Sequence, residues 1–124
     1  MKIDWEKWSR TAGWTIADDL VTVDLADGRR HKVRVQEQPD ILELTAIVVR
    51  GSRVAAIDDL AHRIWTRNRK VQRVGFRIDR HGRLVGDSWL PRPGLTAEEF
   101  RGTMKHLAAE CDRMESLLVG VDVE

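Results

Sequence analysis

Four histidines, a single cysteine and three adjacent carboxylate pairs are the residues of this 124-residue sequence whose side chains could hold a metal or drive covalent chemistry. His31, His62, His81 and His106 could ligate a metal together with Cys111, but none stands at the close spacing of an HExxH or CxxC site. His106 and Cys111 are five residues apart and fall on different sides of a helical turn. No metal and no cofactor are therefore expected. A nucleophilic cysteine needs exposure and a basic neighbour, whereas Cys111 sits on an apolar stripe and reads as a buried, inert thiol. The pairs Asp18-Asp19, Asp58-Asp59 and Glu98-Glu99 are adjacent in sequence, which does not bring two carboxylates onto one pocket with separated pKa values. Gly75, Gly82 and Gly86 fall in a hairpin rather than between a strand and a helix, so they form no phosphate loop. No catalytic constellation emerges, and an enzyme is not expected.

The elements that carry these residues are best defined between Arg73 and Leu118. In Val74 to Ile78 apolar residues alternate with small or charged ones, the period of a strand with one buried face. Asp79-Arg80-His81-Gly82 closes a hairpin, with Gly82 free to take positive φ. The return strand from Arg83 to Leu90 places Leu84, Gly86, Ser88 and Leu90 on one face and Val85, Asp87 and Trp89 on the other. Pro91 and Pro93 end it. Thr96 and Glu99 then form a capping box, and Leu95 and Phe100 fit a hydrophobic staple. Phe100, Met104, Leu107, Cys111, Met114 and Leu118 make one stripe along the following helix. At 1.5 Å per residue that helix extends about 33 Å, enough to cross five or six strands, and Gly120 is placed to end it.

Upstream, Asp4 to Ala12 reads as a short helix with Trp5, Trp8 and Ala12 on one face. Trp14 to Ile16 starts a strand that turns at Asp18-Asp19 and continues from Leu20 to Leu25. Asp27-Gly28 is a hairpin signal, and Arg30 to Gln36 is its partner strand. After a turn at Gln38-Pro39-Asp40, the more continuous apolar run from Ile41 to Val49 suggests a central strand buried on both faces or near a subunit contact. Ser52 is placed to cap a second helix that ends near Asn68, with Val54, Ile57, Leu60, Ala61, Ile64 and Trp65 on its apolar face. The expected fold is α+β: a two-layer domain over residues 1–124, with an antiparallel sheet of five or six strands and three helices in the order α-β-β-β(-β)-α-β-β-α.

Composition narrows the setting. The formal net charge is +1, with 21 basic and 20 acidic residues, a balance that argues against a dedicated polyanion binder. One cysteine rules out an internal disulfide framework and fits a reducing compartment. No run approaches the roughly 20 apolar residues that span a bilayer. The cytoplasm is the expected location. Basic residues do cluster at Arg29, Arg30, Lys32 and Arg34 and again at Arg69, Lys70, Arg73 and Arg77. They read as solvated strand faces, with a nucleic-acid-binding regulator as the alternative. The five tryptophans, against two phenylalanines and no tyrosine, exceed what a small core usually buries, because each indole N–H needs an acceptor. Trp5, Trp8, Trp65 and Trp89 are the candidates for contact with a client or a second copy.

The residues Val74-Gly75-Phe76-Arg77-Ile78-Asp79, Gly82-Arg83-Leu84-Val85-Gly86, Trp89-Leu90-Pro91, Gly94 to Phe100 and Glu110 to Glu115 resemble the superfamily of YbjN and the type III secretion class I chaperones. The likeness covers the whole chain in element order and the last fifty residues in motif. It implies a non-enzymatic, often dimeric bacterial domain that holds extended or amphipathic segments of a client protein. Similar domains occur beside bacterial conflict and defence genes, where an adaptor role is inferred. Secretion chaperones are usually acidic and this chain is nearly neutral, which favours an intracellular partner over a secreted effector. An oligomerisation subunit of a larger complex is a further alternative.

Overall fold

A computed structural model of the chain describes residues 3–119; the expected helix end at Gly120 lies outside them. Ten elements follow one another. Helix α1 (Trp5–Thr11) leads into strands β1 (Thr15–Ala17), β2 (Leu20–Asp24), β3 (Arg30–Glu37) and β4 (Ile41–Val49). Helices α2 (Gly51–Val54) and α3 (Leu60–Lys70) come next, then β5 (Gly75–Ile78), β6 (Leu84–Pro91) and the long α4 (Ala97–Val119). The strands form one antiparallel sheet in the order β1-β2-β3-β4-β6-β5. The α+β class and the six strands are those expected from sequence.

The helical layer covers one face. α4 packs on β2, β3, β4 and β6, α1 rests on α4 and β1, and α3 on β5. Arg67 joins α3 to α4 through Glu110 at 2.9 Å. Beneath α4 the inward residues alternate along each strand: Val21 and Val23, Val33 and Val35, Leu42, Leu44 and Ala46, then Leu84 and Phe76, all buried. The α4 stripe of Phe100, Met104, Leu107, Cys111 and Met114 closes over them, also buried. The capping box forms as expected, with Thr96 N–H donating to Glu99 Oε1 at 3.0 Å and Glu99 N–H to Thr96 Oγ1 at 3.1 Å.

Two local expectations change. The single middle helix from Ser52 is two helices, because Asp59 adopts a left-handed conformation (φ 57°) that no continuous helix accommodates. Ser52 lies inside α2, whose N-cap is Arg50. β4 is central, but only Leu42, Leu44, Ala46, Val48 and Val49 are buried; Ile41, Glu43, Thr45 and Ile47 face the other way and are half-buried or exposed.

The β5–β6 turn is held by one carboxylate. Asp79 accepts the N–H groups of His81 and Arg83, each at 2.9 Å, and the Arg83 guanidinium at 2.8 Å. Burial pushes this carboxyl up, but the hydrogen bonds from Arg83 and His81 outweigh it and hold Asp79 below its ordinary value. A lowered carboxylate stabilises the fold above its unfolded-state pKa, and that contribution is lost as pH falls through the folded value. Asp79→Asn is therefore expected to lower the thermal midpoint near neutral pH, with the gap to the parent closing as the buffer is acidified. Melting curves across a pH series read this directly, and a gap that widened in acid would contradict it.

Candidate protein-binding surface

Because α1, α3 and α4 form one layer on the sheet, no described helix packs on its other side. Its residues follow from the register. Thr45 stands between Arg34 and Asp87, Glu43 between Gln36 and Trp89, and Ile47 beside Val85. Asp87 is the polar centre of this face, accepting from Thr45 Oγ1 at 3.0 Å and ion-pairing with Arg77. Trp89 stands on the same face with 65% of its surface exposed, and Ile47 is exposed too. No described helix packs on this indole, and burying an aromatic ring of that size is among the larger contributions to protein association.

The four tryptophans singled out from sequence separate into two kinds. Trp5 is buried in the core and donates its indole N–H to Glu37 Oε2 at 2.8 Å. That bond satisfies the indole within the chain and leaves Trp5 as a core residue. Trp8 is half-buried, its ring tilted against Phe100 with centroids 5.7 Å apart. Trp65 on α3 is 55% exposed, with the Arg69 guanidinium 4.7 Å from its ring centroid and His62 beside it. Trp65 and Trp89 thus present apolar surface on opposite layers. Leu117 of α4 is also exposed, and its carbonyl accepts from Arg63 of α3 at 2.7 Å.

A second feature was not visible in sequence. The β3–β4 ladder runs from Glu37↔Leu42 to Arg34↔Thr45 and stops. Beyond it, Arg30 to Val33 pair only with β2 and Ala46 to Val49 only with β6, where a bulge at Val48 shifts the register. The two strands splay, and His31 bridges the gap by donating Nε2–H to the Ile47 carbonyl at 3.0 Å. Arg29 ties the start of β3 to α4 through Asp112 at 3.2 Å. The result is a cleft of about 560 Å³ lined by six cations, Arg30, Lys32, Arg34, Arg50, Arg53 and Arg83, and one carboxylate, Glu115.

The groups tested for chemistry fall into structural places. Cys111 is fully buried, and burial pushes its thiol far above the ordinary range, so it stays protonated. His106 donates to the Gln72 carbonyl at 2.9 Å. His31, Asp112 and Glu115 bring ligand atoms within 4.8 Å of one another, a grouping that sequence spacing did not reveal. Arg29 already neutralises Asp112 there, and His31 is engaged with Ile47. Among the described residues no helix is long and apolar enough to cross a membrane.

The six-stranded antiparallel sheet with its helical layer is a fold shared with YbjN and with chains of chaperone–effector and type III secretion complexes. No family model matches the sequence, and no curated protein matches it. Solved structures do share its fold. A chain of the HopA1–SchA chaperone–effector complex superposes with a TM-score of 0.62 at 12% identity, covering 90% of each chain. One from the ExoU–SpcU complex of the type III secretion system of Pseudomonas aeruginosa gives 0.63 at 14% identity, covering 90% of this chain and 95% of that one. YbjN from E. coli gives 0.55 at 18% identity over 87% and 90%. At these identities the likeness is one of fold.

Proposed function

We propose that this protein is a non-enzymatic chaperone or adaptor of the bacterial cytoplasm, which holds a segment of an intracellular partner protein on the uncovered face of its sheet. The observation that carries this reading is Trp89, 65% exposed on a face that no helix covers. The occurrence of the same fold in a chaperone–effector complex supports it. A partner segment could reach this face as an added strand along the β1 edge of the sheet, since Asn68 of α3 already holds the Phe76 N–H and carbonyl of edge strand β5, or as an apolar helix laid across it. On the helical layer, the exposed Trp65 is the contact through which the chain pairs with a second copy.

The test is a tagged pull-down from the native host, retained through a high-salt wash, together with light scattering of the purified chain for the dimer. Trp89→Ala is expected to reduce retention of the specific partner while leaving the thermal midpoint nearly unchanged, since an exposed indole contributes little to the fold. Undiminished retention, or a large fall in midpoint, would overturn the assignment of this residue to partner binding.

A further inference from the structure

We propose that the cleft between β3 and β4 binds an acidic, extended segment of the partner protein, whose carboxylates pair with Lys32, Arg50 and Arg53. This rests on the protein-binding reading above and gives the bound segment its chemistry.

Three observations converge on it. The first is charge. Of the six cations in the cleft, Arg30, Arg34 and Arg83 are already paired, with Asp24 at 3.4 Å, Asp19 at 3.4 Å and Asp79 at 2.8 Å. Lys32, Arg50 and Arg53 have no carboxylate partner among the described residues, although all three line the same hollow. The chain as a whole is nearly neutral, so this concentration is local. Like charges gathered in a concave site repel one another, and an anionic ligand relieves that repulsion.

The second is shape. The ladder between β3 and β4 stops at Arg34↔Thr45 while both strands continue. Their facing edges therefore present main-chain groups to the cleft instead of to each other, and an extended peptide matches such edges. Ile47, Val85 and Val119 supply apolar wall beside the cations, which suits a segment alternating acidic and apolar side chains.

The third separates a peptide from a nucleic acid. Single-stranded nucleic acid is held by a basic groove together with aromatic rings on which bases stack. No aromatic side chain other than the His31 imidazole lines this cleft, and that ring is held by the Ile47 carbonyl. The exposed indoles, Trp65 and Trp89, are not among its lining residues.

Fluorescence anisotropy on the full chain tests this with three labelled probes. One is a short end-capped peptide alternating glutamate and valine, one its lysine-for-glutamate counterpart, and one a single-stranded DNA of the same net charge as the acidic peptide. The acidic peptide should bind, the lysine peptide should not, and the DNA should bind more weakly than the acidic peptide. Raising the salt should weaken the acidic complex, since partly exposed ion pairs are screened. Lys32→Gln, Arg50→Gln and Arg53→Gln combined should weaken it at least about tenfold. All three residues are exposed, and a melting curve of the triple variant checks that its fold is intact. Absence of acidic-peptide binding, indifference to the triple substitution, or tighter binding of DNA would overturn the proposal. The two readings fail separately. A host partner retained equally by parent and triple variant leaves the protein-binding role standing and removes the acidic cleft. Acidic-peptide binding by a chain that captures no host partner does the reverse.

Discussion

Truncating Phe100 to alanine is expected to cost about 3–5 kcal/mol, the range for deleting a large aromatic ring from a packed core. Phe100 is fully buried in the first turns of α4. There it joins the capped helix start to the sheet beneath, and its ring carries Trp8 of α1. Removing it leaves a cavity at the junction of α1, α4 and the sheet and frees Trp8 from the contact that positions it. Domains of this size are stable by about 5–15 kcal/mol in total, so the variant should unfold at a much lower urea concentration and show altered tryptophan fluorescence before the transition. A loss below about 1 kcal/mol, the typical effect of a point mutation, would mean that α4 does not seat on the sheet through this residue.

Gly86→Ala should produce the second large effect, for the opposite reason. Gly86 lies on β6 directly beneath α4, and an added Cβ would come within 2.5 Å of Cys111 Sγ and 3.2 Å of Phe76 Cε1. Neither neighbour can withdraw freely, since both are buried. Overpacking of this kind costs about 1–3 kcal/mol. The close approach also predicts a coupling. Cys111→Ala removes the sulfur that the new methyl group meets, so the double variant should be less destabilised than the sum of the single ones. A urea double-mutant cycle measures this, and strict additivity would contradict the assigned contact. Cys111 thus serves as a packing surface against the β6 backbone at Gly86.

What the sequence made legible was local chemistry. The Thr96–Glu99 capping box, the Asp79–Gly82 turn and the alternation from Leu84 to Leu90 each depend on residues a few positions apart, and each forms as expected. The middle helix was misread because its apolar spacing continues through Asp58 and Asp59, whereas tertiary packing places Asp59 at positive φ and breaks the helix there. Trp5 and Trp8 looked alike as tryptophans on one face of a short helix. Only the fold brings Glu37 to one of them, 32 residues away, and Phe100 to the other.

The β3–β4 cleft was beyond reach for a related reason. Its cations come from β3, the end of β4, α2 and the start of β6, and no window of sequence displays that convergence. Arg30, Lys32 and Arg34 taken alone look like the solvated face of a hairpin. The bulge that opens the sheet lies at Val48, between Ile47 and Val49, with no glycine or proline to mark it. Alternation placed Trp89 on the face opposite Leu84 but did not say which of the two faces was buried. That no described helix packs on its face required knowing that α1, α3 and α4 form one layer on the other side.

A partner protein lying on the open face of the sheet would shield Trp89 from solvent. Hydroxyl-radical footprinting of the chain alone and in its captured complex measures this side chain by side chain, because indole is strongly reactive and Trp89 and Trp65 occupy opposite layers. Labelling of Trp89 is expected to fall sharply when the partner is bound, with Ile47 following it, while Trp65 changes little. Unchanged labelling of Trp89 in the complex, with new protection confined to the helical layer, would contradict it.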